Sequence, residues 1–324
     1  MKRAEFSACV FTVALMAFNP AASLNAADLS GRAGAFADIG LGLRPLGMGG
    51  AYSALAADEN GARWNPAMLA EVEDYLAGFS YVRQFNLIAY NYLAIAAPDV
   101  YKGIGAGAFV IDSGDEVYNE TTIGLGFGVP LEEFGSPLAL NAGAALKILS
   151  VDYGRDTEGG PDRVQGTASG FGVDLALQWR LSDEASAALV MRDLLNTLNW
   201  KREIEGSQPS SGSYTEGLTR AIVFGFAYTL DVAAFSAEYK PGLYADTNDR
   251  LTIGTEFTFW KAFKARIGMA QDMAGADRNR WVTFGMGLDL AMEFVGPIKQ
   301  VKFGYSLLMH DIDSSPRVGL TLGW

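Results

Sequence analysis

From about residue 75 to residue 324, the chain alternates bulky apolar residues with small or polar ones at a period of two. In the stretch LTIGTEFTF, Leu251 and Ile253 fall on one side, and Thr252 and Gly254 fall on the other. This is the period of a β-strand, in which successive side chains point to opposite faces. Turn residues divide this part into fourteen segments, and we predict strands near residues 75–84, 86–98, 103–112, 119–130, 137–149, 166–180, 184–192, 217–230, 232–240, 249–259, 262–271, 280–292, 298–309 and 316–324.

The predicted strands have the length and composition of membrane-spanning strands. Most contain about 9–14 residues, enough to cross a bilayer at the tilt of barrel strands. Their less apolar side is rich in Gly, Ala, Ser and Thr and carries isolated charges such as Lys147 and Asp289, which suit a barrel interior. Aromatic residues such as Trp179, Trp281 and Trp324 gather at segment ends, as in interfacial girdles. A soluble β-sandwich, which shares the period of two, explains these features less well. We predict an all-β fold, a transmembrane antiparallel β-barrel of 14 strands.

One segment also has the spacing of an amphipathic helix. Leu189, Leu194, Leu195 and Leu198 recur at helical intervals within Ser182–Asn199. Because the segments on both sides read as strands, we interpret this one as a strand too.

The connections between segments differ in length. Tyr153–Gln165 and Lys201–Glu216 are long and polar, whereas the joints at Phe85, Asp231 and Trp260–Lys261 are tight. Bacterial membrane barrels have long extracellular loops and short periplasmic turns. The alternation therefore supports the barrel interpretation.

The first residues have the order of a secretory signal peptide. Lys2 and Arg3 precede the apolar run Phe6–Phe18, and small residues follow up to Ala27. The run of 13 apolar residues is too short for a membrane-spanning helix, which needs about 20. We expect cleavage between Ala22 and Ala27 and assign residues 1–26 to the signal peptide.

Composition excludes several classes of protein. The net charge is −12, which argues against nucleic-acid binding, because that depends on neutralising phosphates. The single cysteine, Cys9, lies within the predicted signal peptide, so the mature chain would have no disulfide or thiolate metal site. No later segment approaches 18 uninterrupted apolar residues, which excludes a helical membrane protein.

No pattern in the sequence indicates catalysis. The single histidine, His310, stands beside Asp311 and Asp313 in a predicted loop and belongs to no Ser-His-Asp set or metal-ligand spacing. The acidic loops 156–162 and 246–249 lack the ligand spacing of a calcium loop. Gly40-x-Gly42 and the Gly103-x-Gly105-x-Gly107 run do not belong to a βαβ unit. We therefore expect a protein that is not an enzyme and that carries no cofactor or metal.

Residues Gly31–Asp74 are rich in glycine and do not alternate. At membrane depth, irregular backbone is tolerated only where protein or a water-filled lumen surrounds it. We therefore predict that residues 27–74 form a plug inside a barrel made by residues 75–324.

Within this block, the run LRPLGMGGAYSALAADENGARWNPAMLA resembles the N-terminal motif of FadL-type outer-membrane proteins, most specifically of the PorV/PorQ branch. Two positions depart from the pattern: Glu59 replaces the second aspartate, and Met68 replaces a glycine. The matching residues are Arg44, Gly47, Met48, Gly49, Gly50, Ala51, Ala54, Ala57, Asp58, Trp64, Asn65, Pro66 and Ala67.

The resemblance implies a 14-stranded barrel with an N-terminal plug and leaves two functions open. FadL-type members take up hydrophobic molecules such as long-chain fatty acids across the outer membrane. PorV-type members belong to type IX secretion and bind exported cargo proteins there. A third reading is a membrane anchor without a ligand. We expect uptake of hydrophobic small molecules, with the secretion role as the alternative.

The motif residues have a structural interpretation first. Gly47, Gly49 and Gly50 allow close backbone approach and positive φ, Pro66 fixes a turn, and Asn65 can bind nearby backbone groups. For the uptake function we expect an apolar pocket between plug and wall. Its candidate lining residues are Leu41, Leu43, Leu46, Met48, Tyr52 and Leu55.

The predicted location is the outer membrane of a Gram-negative type of cell, with outer-membrane lipids around the barrel. The last segment places Val318, Leu320, Leu322 and Trp324 on one side. Barrel-assembly machinery generally recognises a terminal strand that ends in an aromatic residue, so we predict that Trp324 is an assembly signal.

Overall fold

The computed structural model describes residues 41–85, 88–114, 117–154, 163–206, 209–244, 247–273, 280–295, 297–310 and 313–324, with the backbone alone at 293–295. The predicted signal peptide, residues 1–26, lies outside the described residues, as do residues 27–40 of the predicted plug, the acidic stretch 156–162, and Asp311.

Antiparallel strands make up most of the described chain. The strands are β1 (Leu76–Gln84), β2 (Ile88–Tyr101), β3 (Ile104–Gly114), β4 (Tyr118–Pro130), β5 (Leu140–Tyr153), β6 (Arg163–Arg180), β7 (Ala185–Glu205), β8 (Ser210–Glu216), β9 (Ala221–Leu230), β10 (Ala233–Lys240), β11 (Arg250–Phe259), β12 (Phe263–Asp272), β13 (Arg280–Val295), β14 (Ile298–Met309) and β15 (Ser314–Gly323).

Fourteen of these strands close into a barrel. Each of the fourteen pairs with the next one along the chain, with β7 followed in the ring by β9. The ring closes where β1 pairs with β15, with Leu76 opposite Gly323. The remaining strand, β8, pairs within the described residues only with β7, outside the ring. The predicted 14-stranded antiparallel barrel is confirmed.

The wall is irregular beside β7. The first part of β7 pairs with β9, where Ala185 lies opposite Tyr228, and its last part pairs with β8, where Ile204 lies opposite Ser210. The prediction of a long polar loop over residues 201–216 was wrong, because both β7 and β8 continue through it as a hairpin. The hairpin extends beyond the ring, where water reaches both faces and the sequence no longer needs to alternate. The segment 182–199 is largely strand, as predicted, and β9 begins later than expected.

The outer face of the barrel is apolar. Large side chains such as Phe79, Leu93, Phe226 and Phe284 point outward and are each 44–49% exposed. Their neighbours in sequence point inward and are buried, which gives the alternating burial of the strands. A continuous apolar surface of this size requires a lipid environment. The barrel therefore spans a membrane.

No helix within the described ranges has the length and apolar character needed to cross a membrane.

Both ends of the barrel domain meet at one rim. Trp324 donates its backbone N–H to the carbonyl of Tyr75 at 3.1 Å, and the two rings stack with their centroids 6.2 Å apart. Tight turns lie at the same rim, including the two residues Trp260 and Lys261, both with positive φ. We call this end of the barrel the termini rim. The opposite end carries the β7–β8 hairpin, and we call it the far rim.

Residues 41–74, the N-terminal segment, contain no strand. They form the short helices α1 (Leu43–Gly47) and α2 (Gly61–Trp64) and the 3₁₀ helix Pro66–Glu71, joined by turns. Asn65 caps the 3₁₀ helix by accepting a hydrogen bond from the Ala67 N–H at 3.0 Å, and Pro66 occupies its first position.

Candidate functional site

The N-terminal segment contacts the inward side of every strand in the ring. Its first part reaches β9 to β15: the Thr283 hydroxyl donates to the carbonyl of Gly47, and the Thr321 hydroxyl bonds the Glu59 carboxylate. Its second part, around the 3₁₀ helix, packs on β2 to β6. Glu59 also lies against Gly78 of β1, and Ser186 of β7 donates to the carbonyl of Ala54. The described segment therefore has a contact with each of the fourteen strands of the ring.

Glycines in the wall make these contacts close. At Gly105 a Cβ atom would collide with the carbonyl of Leu69, and at Gly143 it would collide with the backbone of Ala67. On the opposite side, a Cβ at Gly268 would collide with the backbone of Gly49. Backbone therefore lies against backbone, which explains why the inward side of the strands is rich in glycine.

The glycines of the motif meet the same wall. Gly49 and Gly50 have φ of 72° and 92°, which favours glycine. Gly47 does not have positive φ. A Cβ there would press on Arg266 and on the backbone of Gly285, so its role is close approach.

A buried ionic network binds the segment to β11 and β12. Arg44 donates through Nε and Nη2 to both carboxylate oxygens of Glu256, at 3.1 and 3.0 Å. Arg266 donates to the same carboxylate at 2.5 Å. Arg44 also pairs with Asp58 at 3.4 Å, and the Tyr52 hydroxyl donates to Asp58. The shared carboxylate holds two guanidinium groups, one on the segment and one on the wall.

Two further groups fix the segment. The Glu238 carboxylate accepts hydrogen bonds from the backbone N–H groups of Tyr52, at 2.6 Å, and Ser53. The Asn65 amide donates to the carbonyl of Ser53 at 2.7 Å and to Gln178 Oε1 at 3.1 Å. Asn65 therefore joins the two parts of the segment to each other and to β6.

Trp64 lies in a packed core within the segment. Its indole N–H donates to the carbonyl of Leu41 at 3.0 Å, and its ring meets Tyr52 edge to face with centroids 5.9 Å apart. The guanidinium of Arg192, on β7, lies over the same ring at 5.3 Å.

The proposed lining residues of an apolar pocket are mostly packed against other side chains. Leu46, Met48 and Tyr52 are at most 1% exposed, and Leu41 packs with the wall residues of β1 to β3. Leu55 is partly buried beside the Tyr52 core. Leu43 lines a cavity of about 400 Å³, and that cavity is strongly charged.

This cavity, the ionic cavity, lies between the segment and the strands β11 to β15. Carboxylates and cations face each other across it, and Lys264 lies 4.0 Å from Asp289. The sequence predicted isolated charges on the inward side of the strands, but it did not predict that these side chains line one cavity. The charged lining residues are Arg44, Asp58, Glu59, Glu71, Glu73, Asp74, Glu256, Lys264, Arg266, Asp289 and Lys302.

An apolar cluster, the far-rim cluster, lies on the inner wall toward the far rim. Tyr153 packs on Trp200 with ring centroids 6.0 Å apart, and Trp200 stacks on Tyr214 at the same distance. Sequence reasoning missed this cluster because Trp200 and Leu218 flank the predicted loop over 201–216, and Tyr214, which stacks on Trp200, lies within it. Its buried members are Leu149, Val151, Ala168, Leu198, Trp200 and Leu218, with Tyr118 and Tyr153 packed against them.

The other motifs have structural positions. Gly103 has φ of 75° in the turn between β2 and β3, and Gly42 has φ of 87° before α1. His310 packs its ring near Phe85 and Trp281, at 5.3 and 6.2 Å. Among the described residues, no group of three or more His, Cys, Asp and Glu side chains is arranged to hold a metal ion.

Several solved structures share this fold. The monoaromatic hydrocarbon channel CymD is 15% identical, with a TM-score of 0.56 over 88% of this chain and 97% of CymD. The toluene transporter TodX of Pseudomonas putida is 13% identical, with a TM-score of 0.57 over 88% and 98% of the chains. The toluene transporter TbuX of Ralstonia pickettii is 12% identical, with a TM-score of 0.50 over 88% and 97%. No protein-family model and no curated protein matches the chain. The chain therefore shares the barrel fold of these three proteins.

Proposed function

We propose that the protein is an outer-membrane channel for hydrophobic small molecules, with the N-terminal segment as its plug. The observation that carries the proposal is the far-rim cluster, a group of buried apolar side chains on the inner wall of a FadL-like barrel. Most of the longer connections lie at the far rim, although the connection from Leu131 to Ala139 lies at the termini rim. Barrels place their longer loops outside the cell. A hydrophobic molecule arriving from outside would thus meet the far-rim cluster first.

The plug role rests on the contacts of the N-terminal segment with all fourteen strands. Below the far-rim cluster, a molecule meets the packed core around Tyr52 and then the ionic cavity. Transfer of a hydrocarbon into a space lined by charges is unfavourable, because those charges would lose water without gaining a partner. Passage therefore requires movement of the segment.

Aromatic hydrocarbons are the substrates we favour over fatty acids. The ring of Trp200 is buried against Tyr153 and Tyr214, and the half-exposed ring of Tyr214 can make offset or edge contacts with another ring. CymD, TodX and TbuX are channels or transporters for monoaromatic hydrocarbons or toluene. The motif resemblance points to long-chain fatty acids, so both classes belong in the test.

The test is uptake of labelled toluene and labelled long-chain fatty acid by cells that lack their own hydrophobic channel. We expect toluene uptake to rise when the protein is present and to fall several-fold in Trp200→Ala. Trp260→Ala is the matched control, because Trp260 is 89% exposed in a turn at the termini rim. Equal uptake with and without the protein, for both labels, would reject the channel function.

The PorV-type role is the second candidate, and the β7–β8 hairpin favours it. This hairpin rises beyond the ring at the far rim, where an exported protein would be held. Co-purification of exported proteins from a native membrane, lost when residues 201–216 are removed, would support this role over uptake.

The remaining proposals concern export and assembly. We propose that residues 1–26 are removed on export and that the barrel-assembly machinery inserts the protein among outer-membrane lipids. The N-terminal sequence of protein purified from outer membranes tests the cleavage, with a start between residues 23 and 27 as the expected result.

A further inference from the structure

The ionic cavity opens at the termini rim. Its lining residue Asp289 donates its backbone N–H to the carbonyl of Ala262, in the turn between β11 and β12 at that rim, at 2.8 Å. Near the start of β14, the Gln300 amide donates to the Asp74 carboxylate at 3.3 Å, and both side chains line the cavity. Glu73, which also lines it, is exposed. The cavity is therefore in contact with the solution at the termini rim.

The inner end of the cavity is formed by the ion pair between the N-terminal segment and the wall. The Arg44 side chain lines the cavity and is 31% exposed. Glu256 and Arg266, its neighbours on the wall, are 6% and 7% exposed. Of the two arginines on the shared carboxylate, the one on the segment is thus the one that solution at the termini rim reaches.

On the side of the far rim, the same ion pair is closed off by packed backbone. The next inward residues of β11 and β12 in that direction are Gly254 and Gly268, which lie opposite each other. A Cβ atom at either position would collide with the backbone of Met48 or Gly49. Met48 itself is fully buried. A molecule at the far rim therefore does not reach the ion pair along these strands while the segment is in place.

The charges of the ionic cavity favour a cation as its occupant. Seven carboxylates and four cationic side chains line it, a formal excess of three negative charges. A cleft with an excess of one sign of charge concentrates ions of the opposite sign. Its volume of about 400 Å³ lies in the range of small-molecule sites. Because the part of the chain that the structure describes holds no group of three or more side chains arranged for a metal ion, a small organic cation fits best.

The Glu256 carboxylate is built to exchange one guanidinium group for another. Arg44 binds its two oxygens through Nε and Nη2, a side-by-side arrangement that any guanidinium group can make. Arg266 donates to the same carboxylate from the wall and would hold it in position during an exchange. The buried carboxylate would keep a cationic partner throughout, so the large cost of leaving it unpaired is avoided.

We propose that the ionic cavity binds a small organic cation from the solution at the termini rim, and that the guanidinium group of this cation competes with Arg44 for Glu256. Displacement of Arg44 removes the ionic contact between α1 and β11, while the second part of the segment stays packed against the wall glycines. On the orientation proposed above, the cation comes from the periplasm. Only the consequence for passage rests on the proposed function, because cation binding is measured without transport and the two fail separately.

The test uses the purified full-length protein in detergent, with argininamide as the probe. Citrullinamide, which has nearly the same shape but no guanidinium charge, is the control ligand. We expect saturable binding of argininamide by titration calorimetry and binding of citrullinamide at least about tenfold more weakly. Hydrogen exchange should quicken in residues 41–48 when argininamide is bound and stay unchanged in residues 61–74. Binding without faster exchange in residues 41–48 would refute competition with Arg44.

Two matched double variants locate the site. Glu73→Gln with Asp74→Asn removes two carboxylates from the mouth of the cavity, and we expect argininamide binding to weaken several-fold. Glu132→Gln with Glu133→Gln removes the same charge from exposed positions of the same rim that do not line the cavity, and we expect binding to persist. Equal binding by the two double variants, or no binding to the unmodified protein, would overturn the inference.

Chemical modification gives a second measurement that leaves the charged lining intact. Ala57 lines the cavity, and the only native cysteine of the chain, Cys9, can be replaced by serine. In Ala57→Cys we expect a cationic methanethiosulfonate reagent to react at least about tenfold faster than an anionic one, and argininamide to slow it. Gly212→Cys, at an exposed position, corrects for the intrinsic reactivity of the reagents. Equal corrected rates for the two reagents would contradict a cation-binding cavity.

Discussion

The guanidinium of Arg44 binds both carboxylate oxygens of Glu256, at 3.1 and 3.0 Å, and so joins α1 of the N-terminal segment to the wall at β11. These residues are 212 positions apart in the chain. Glu256 is almost fully buried, and Arg266 is its second partner. Removal of this carboxylate would leave two guanidinium groups without their common anion.

We expect Glu256→Gln to loosen the N-terminal segment. Breaking a buried ion pair by removing one partner costs about 3–5 kcal/mol. Hydrogen exchange should therefore quicken in residues 41–60 while the wall strands keep their protection. Glu205→Gln is the control: Glu205 pairs with Arg163 at 2.8 Å but is 55% exposed, and such pairs contribute about 0–1 kcal/mol. Equal hydrogen exchange in the two variants would show that the ionic network does not hold the N-terminal segment in place.

Enlarging a wall glycine should displace the segment. In Gly143→Val the new side chain would meet the backbone of Ala67, which cannot turn aside. We expect greater protease sensitivity near residues 61–74 and a barrel that still migrates as a folded band on a gel. Gly212→Ala is the control, because its Cβ would meet nothing within 4 Å. Unchanged proteolysis in Gly143→Val would show that the wall and the segment are not in close contact.

Loss of Trp324 should reduce assembly. Its ring stacks on Tyr75 where β1 and β15 close the barrel, and its backbone N–H reaches the Tyr75 carbonyl. We predict that deletion of Trp324 lowers the amount of heat-modifiable protein in outer membranes, with the remainder degraded before insertion. Trp260→Ala should insert normally, because the Trp260 ring protrudes from a turn. Normal insertion without Trp324 would reject an assembly role.

The stability of the loop between β10 and β11, at the far rim, should depend on pH. The Gly242 N–H and the Tyr239 hydroxyl donate to Asp249, both at 2.8 Å, and these bonds lower the pKa of Asp249 below its ordinary value. Because the pKa of Asp249 is lower in the folded loop, ionised Asp249 stabilises the loop at every pH above its ordinary pKa of about 3.9. This stabilisation is lost as the pH falls through the pKa of the folded state. We expect the Gly242 amide, corrected for intrinsic exchange, to lose protection in acid. Asp249→Asn should abolish that pH dependence, and its persistence would refute the assignment.

Much of the wall could be predicted because alternate residues of each strand face the lipid and the barrel interior, and these two environments favour different side chains. For β11 the predicted start was residue 249 and the observed start is Arg250. The prediction was close because Leu251, Ile253 and Phe257 all face outward along this strand. The hairpin of β7 and β8 escaped prediction because beyond the membrane water covers both faces. There the alternation disappears, and Ser210–Glu216 reads as a loop.

The site was less accessible to sequence reasoning. The motif marked Arg44 and Asp58, but nothing in one sequence says that Arg44 meets Glu256 on a distant strand. Leu46 and Met48 were expected to line a pocket, since an apolar side chain that faces a cavity and one packed in a core look alike in sequence. Their burial follows from glycines in the wall, which let the segment come close enough to pack.

The measurement that tests the account most directly is the conductance of the purified protein in a planar bilayer, with and without residues 27–74. The fourteen wall strands pair with one another, so the deletion variant should still fold into a closed barrel. We predict low conductance for the full-length protein and high, steady conductance for the deletion variant. Equal conductance of the two proteins, with the barrel intact, would contradict the claim that the N-terminal segment closes the lumen.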